Sequence, residues 1–252
     1  MRCLKPLAAA VFAVAVAGFA HAGEFSGAQK TEIEKIVRSY LTGNPEVIKE
    51  AIEELEKRQK LAEADSRDRA IKKDADKITN STFQTVVGNP AGDVTLVEFF
   101  DYNCGYCKRS VGDVAKLIEG DPKLRVVLKD FPILGTGSLE AAQVASALRE
   151  QFKDLKLWEF HKKLLGVRGS IGEEQALAVA KELGADMAKL KTDMKSPSVQ
   201  AGLKEVAALA DELHFEGTPS WVIGSEAFVG GVPFAALKSK IENVRKCGKS
   251  AC

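Results

Sequence analysis

Phe99-Phe100-Asp101-Tyr102-Asn103-Cys104-Gly105-Tyr106-Cys107-Lys108 is an apolar strand running straight into a Cys-x-x-Cys pair, placed where a helix would begin. Unpaired backbone N–H groups give a helix start partial positive charge, which favours a thiolate over a thiol. Two sulfurs three residues apart on one helical turn are close enough to close a disulfide and open it again. The stretch therefore reads as a thiol–disulfide exchange site. Cys104, exposed at the helix start, is the expected attacking sulfur. Cys107, one turn in and more buried, is the expected resolving sulfur.

Upstream of this stretch, Val94 to Phe100 is a nearly continuous apolar run of buried-strand type, preceded by a strand near Thr82 to Val87 and the turn Gly88-Asn89-Pro90-Ala91-Gly92-Asp93. Downstream come a helix over Lys108 to Ile118 and a strand over Leu124 to Ile133, so strand–helix–strand order implies a parallel crossover. Residues 138 to 214 are helical throughout, with Ser196-Pro197 opening the last helix. Two short strands follow Gly217-Thr218-Pro219, at Ser220 to Ile223 and Ala227 to Val229, and Pro233 starts a final helix. This order is a thioredoxin-like layout with a helical insertion.

Glu98 lies six residues before Cys104 in an otherwise apolar strand, and alternation puts positions 98, 100 and 102 on one face. A carboxylate buried beneath the site has a raised pKa and exchanges the proton of Cys107; at a sheet edge it is merely solvated. Thr218-Pro219 precedes the strand that pairs beside the Cys-x-x-Cys loop. A cis bond there turns the Thr218 backbone outward, so that a peptide adds as a strand next to Cys104.

Residues 1–22 read as a leader. Arg2 and Lys5 make a basic start, Leu7 to Phe19 is apolar but short for a bilayer, and Ala20-His21-Ala22 fits a cleavage site; an uncleaved anchor is the alternative. The whole chain has 36 basic and 35 acidic side chains, and loss of Arg2 and Lys5 leaves 34 against 35. That balance suggests neither nucleic acid nor an anionic membrane surface as partner. Four cysteines remain, in two local pairs: Cys104 with Cys107, and Cys247 with Cys252. The tail pair reads as a small structural disulfide, with a redox pair or metal clip as alternatives, and zinc on all four sulfurs is disfavoured by their spacing. No cofactor is expected.

Residues 28 to 56 read as two helices, with Ile33, Ile36, Val37, Tyr40 and Leu41 striping the first and Val47, Ile48, Ala51, Ile52 and Leu55 the second. Glu56 to Lys77 is mostly charged and reads as a solvated connecting helix. The expected division is thus a leader (1–22), an amino-terminal helical oligomerisation extension (23–79), and an exchange domain (80–252) with its insertion at about 138–214.

The sequence around Cys104, the glutamate six residues before it, the helical insertion and Gly217-Thr218-Pro219-Ser220-Trp221 together resemble the DsbA family of exported disulfide oxidoreductases, over roughly residues 83 to 246. Tyr40 to Ile48 with Ala51-Ile52 resembles the extension of the suppressor-of-copper-sensitivity protein ScsC. The resemblance implies a nucleophile at Cys104, a resolver at Cys107, a buried acid at Glu98 and a cis proline at Pro219. It also implies a periplasmic location, unfolded or misoxidised exported clients, a DsbB-like or DsbD-like membrane redox partner, and a homo-oligomer, with a trimer as one possibility. Gly105-Tyr106 departs from the Pro-His of DsbA and matches the isomerase DsbC, and isomerases also tend to carry the Thr218 type of residue. A less oxidising pair and an isomerase follow. A monomeric oxidant, and a Cu(I)-binding or chaperone protein of copper tolerance, are the alternatives.

Overall fold

The computed structural model of the 252-residue chain describes residues 25–252, so the expected leader at 1–22 lies outside the described residues. Among those residues, no helix is long and apolar enough to cross a membrane. Two compact units divide between Lys57 and Arg58.

The first unit holds α1 (Gly27–Gly43) and the beginning of α2 (Glu46–Lys73). Ser26 caps α1 in a reciprocal box with Gln29, which satisfies two otherwise unpaired donors. Asn44-Pro45 then ends α1, because Pro45 disfavours helical backbone at Asn44. The apolar stripe of α1 is not covered: Ile33, Ile36, Val37 and Tyr40 are all exposed, as are Ile48, Ile52 and Leu55 of α2.

The second unit is built on a five-stranded sheet in the order β1-β3-β2-β4-β5, from β1 (Thr85–Gly88), β2 (Val94–Phe100), β3 (Leu124–Asp130), β4 (Ser220–Ile223) and β5 (Glu226–Val229). β2 and β3 are parallel, joined by α4 (Gly105–Gly120), as the strand–helix–strand order requires. β1 and β4 run antiparallel to β3 and β2, and β5 runs antiparallel to β4. The insertion comprises α5 (Thr136–Leu148), α6 (Asp154–Leu165), α7 (Glu173–Glu182), α8 (Met187–Asp193) and α9 (Pro197–Glu212). A last helix, α10 (Phe234–Cys247), closes the chain. α4 starts three residues earlier than its apolar spacing predicts, because Cys104 takes an extended conformation as N-cap. β3 ends three residues sooner than expected, at Asp130: Phe131 N still donates to the Phe100 carbonyl at 2.8 Å, and Pro132 has no N–H to continue the ladder.

Alternation along β2 sorts the core into two layers. Leu96 and Phe100 face the larger layer with Leu124, Val126, Leu128, Trp221, the buried side of α4 and the insertion. Val97 and Phe99 face a second layer with Val127, Val206, Leu209 and Phe215. Here the structure departs from the solvated connector expected over Glu56 to Lys77. Ala70 and Ile71 of α2, and Ile78 of α3 (Ala75–Asn80), are buried in the second layer, and Arg67 Nε donates to the Leu213 carbonyl at 3.0 Å. Three apolar side chains joining that layer suffice to hold a mostly charged segment against it.

Candidate active site

The site forms where the central strand β2 meets the start of α4. Cys104 and Cys107 are both buried and unbonded to each other. Cys104 Sγ lies 3.0 Å from the Thr218 carbonyl oxygen, to which the thiol donates. The Thr218–Pro219 bond is cis, and Pro219 is buried immediately ahead of β4. Pairing of Glu98 with Trp221 and of Phe99 with Ser220 is what brings this segment alongside Cys104.

The two sulfurs are driven apart in acidity. Hydrogen bonding from the Cys107 thiol pulls the Cys104 pKa down to about 5, against the opposing effect of burial. The Thr218 hydroxyl and the backbone N–H groups of Tyr106 and Cys107 add to this. That hydroxyl is buried and has no other partner, so an ionised Cys104 supplies it with an acceptor. Cys107 moves the other way: donation to Cys104, burial and the Glu98 charge all push its pKa up.

Glu98 is buried on the same strand face as Leu96 and Phe100, beneath α4. Burial raises its pKa to about 8, with the Cys104 charge adding and the hydrogen bond from Ser110 Oγ opposing. Ser110 itself was not singled out by the sequence, although it lies one turn beyond Cys107 on the same side of α4. A further set of polar residues was also not legible. The Asp101 carboxylate accepts four hydrogen bonds: from Asn103 N (2.7 Å), Ser138 Oγ (2.7 Å), Ile133 N (2.9 Å) and Leu134 N (3.0 Å). An acid closing an apolar strand was the signal for it.

Tyr106 is exposed, with the Arg109 guanidinium 4.3 Å above its ring centroid and Gly231 beneath it, where a Cβ would sit 3.0 Å from Tyr106 Cδ1. Cys247 and Cys252 are bonded to each other at the end of α10, outside this constellation. Among the described residues, no group of three or more His, Cys, Asp or Glu side chains is placed to hold a metal ion.

A Cys-x-x-Cys pair at the helix start of a thioredoxin-type sheet, opposite a proline segment, defines the class of thiol–disulfide oxidoreductases. Residues 95–242 match the DSBA-like thioredoxin domain model, and the chain belongs to that family. Residues 29–62 match the model of the copper resistance protein ScsC N-terminal domain. A crystal structure of a thioredoxin-like oxidoreductase from Silicibacter pomeroyi is 42% identical, with a TM-score of 0.65, covering 68% of this chain and 98% of that one. Proteus mirabilis ScsC in a transitional conformation is 26% identical, with a TM-score of 0.65, covering 87% of this chain and 98% of that one. The disulfide bond formation protein D of Bacillus subtilis is 28% identical, covering 65% of this chain and 78% of its own length. Of another curated relative, the Na(+)/H(+) antiporter NhaA 1 of Salinispora arenicola, the chain spans about a quarter.

Proposed function

We propose that this protein is an exported disulfide isomerase, acting on unfolded or misoxidised proteins in the periplasm and assembled as a homo-oligomer through its amino-terminal helices. The observation that carries the reading is Cys104: a sulfur ionised near pH 5, set against the Thr218 carbonyl, with a protonated Cys107 behind it.

The Cys104 thiolate attacks one sulfur of a client disulfide. A new S–S bond forms, the old one breaks, and its electron pair leaves on the second client sulfur as a thiolate. Attack by another client thiolate on the mixed disulfide returns Cys104 as a thiolate, with no net electron change, and the client has been rearranged. Alternatively Cys107 attacks Cys104, its proton passing to the Glu98 carboxylate; the client is then reduced by two electrons, and a membrane redox partner must reduce the new Cys104–Cys107 disulfide. Glu98 serves as proton carrier, and Thr218-Pro219 as the edge against which the client chain lies.

A Cys104 pKa near 5 falls between the values of about 7 for thioredoxin and about 3.5 for DsbA. Such a thiolate is less stabilised than that of a strong oxidant, which supports rearrangement over net oxidation. The exposed stripe of α1 supports the oligomer, since an unpartnered apolar face calls for a covering surface. Residues 23–79 are proposed as this extension, of which the end of α2 and α3 lie within the second compact unit. The likeness to a disulfide bond formation protein favours a second reading, a monomeric oxidant recharged by a membrane partner.

Refolding of a scrambled disulfide protein decides between them. Isomerase action requires that reduced wild type restores activity without added oxidant and that Cys104→Ser does not. Recovery only from fully reduced client, by the oxidised enzyme, would establish the oxidant instead.

A further inference from the structure

We infer that the loop 167–172 between α6 and α7 is the second wall of the client-binding surface, and that Asn103 and Lys108 are positioning residues that clamp it beside Cys104. This rests on the exchange activity proposed above. The clamp is visible on both sides of the nucleophile. Asn103, the residue before Cys104, makes a paired contact with Ile171: its Nδ2 donates to the Ile171 carbonyl at 2.8 Å, and Ile171 N donates to its Oδ1 at 2.7 Å. Lys108, one helical turn after Cys104, donates from Nζ to the carbonyls of Val167 and Gly169, each at 3.1 Å.

Sheet order places this loop opposite the proline segment. β2 delivers Cys104 from the middle of the sheet, with β4 on one side and β3 on the other. Thr218-Pro219 leads into β4. The loop stands on the other side, against the first turn of α5, which follows β3: a Cβ on Gly137 would come within 2.7 Å of the Ile171 carbonyl. Only a glycine tolerates that approach. A chain held by one sulfur on Cys104 and lying across the site therefore meets Thr218-Pro219 on one flank and this loop on the other. Ile171 is buried and anchors the wall, whereas Arg168, Gly169 and Ser170 are exposed along it. Gly169 adopts φ +82°, a left-handed turn that brings its carbonyl round to Lys108. The ligand class is an extended polypeptide carrying a disulfide, whose chain flanking the sulfur meets the loop.

The test compares two substrates on the full-length mature protein in its reduced state. One is hydroxyethyl disulfide, too small to reach the loop; the other is a short linear peptide disulfide-linked to a chromophoric thiol. Asn103→Ala and Lys108→Met are each expected to slow the peptide reaction about five- to tenfold while leaving hydroxyethyl disulfide within about twofold of wild type. Lys108→Arg restores the peptide rate, because a donor is returned. Backbone amides at 167–172 lose hydrogen-exchange protection in the two damaging variants. The inference is overturned if both substrates slow together, which would make Asn103 and Lys108 supports of the nucleophile alone, or if neither slows. Should Asn103→Ala fail to fold, the Lys108 pair carries the test. Wild type inert toward both substrates would instead refute the exchange activity, with amide protection still reporting on the clamp.

Discussion

Ser110 Oγ donates a 3.1 Å hydrogen bond to Glu98 Oε1, tying the second turn of α4 to the middle of β2 directly beneath the two cysteines. Ser110 Oγ also reaches the Cys107 carbonyl at 3.1 Å, so one hydroxyl links the buried acid to the turn that carries Cys107. Burial alone would keep Glu98 protonated far above the ordinary carboxylate range. The Ser110 bond holds it back to about 8, within reach of neutral conditions.

In the proposed mechanism Glu98 accepts a proton in proportion to its ionised fraction, which grows about tenfold per pH unit below 8. The resolving step is expected to accelerate with pH up to about 8 in wild type. In Glu98→Gln it slows by about one to two orders of magnitude and loses that inflection. Stopped-flow decay of a preformed mixed disulfide at Cys104 measures this. Ser110→Ala should move the inflection upward.

The acidity of Cys104 gives a second expectation. Thiolate absorbance of the reduced protein should titrate with a midpoint near 5. Thr218→Val removes a hydroxyl donor to the ionised sulfur and should raise that midpoint by about half to one unit. In the unfolded chain Cys104 keeps its proton up to about 9, so its contribution to the stability of the reduced fold grows between about 5 and 9 as pH rises and is lost as pH falls through 5. The oxidised protein has no such group, so the melting temperature of the reduced form should rise relative to that of the oxidised form across that window.

How much of this was readable beforehand depends on how local each signal is. The Cys-x-x-Cys, the apolar strand before it and the proline segment are short patterns, and their residues meet because strand pairing aligns them. Asp101 and Asn103 lay inside the same quoted stretch, yet their partners Ser138 and Ile171 are 37 and 68 residues away, and no periodicity announces such a bond. The docking of α2 was hidden for a different reason. Ala70, Ile71 and Ile78 are too sparse to outweigh the charges around them in a sequence window, although their burial against Val127 and Phe215 fixes the element.

Lys129 provides a test of the second core layer. It is fully buried, and its Nζ donates to the Lys77 carbonyl at 2.6 Å. Burial lowers its pKa to about 8 from 10.5, with Glu205 opposing and Arg149 and Arg125 assisting. Between those values the unfolded chain binds the additional proton, so wild-type stability should rise with pH across this window. Lys129→Met, which cannot titrate, should lack that rise when urea unfolding is compared at pH 8 and pH 10.

For the amino-terminal unit, the exposed stripe of α1 makes the expectation simple. Ile36→Glu combined with Tyr40→Glu should convert the proposed oligomer to monomers in sedimentation experiments, while the reactivity of Cys104 toward a small disulfide stays within about twofold. Dissociation accompanied by loss of scrambled-protein refolding would connect assembly to rearrangement.

The bridge between Cys247 and Cys252 closes off the remaining two sulfurs of the described chain. While it holds, an alkylating mass tag added under denaturing, non-reducing conditions meets, among the described residues, only the central dithiol. Two tags, or none, then report the redox balance of the compartment directly, and any molecule carrying four marks one whose tail has been opened.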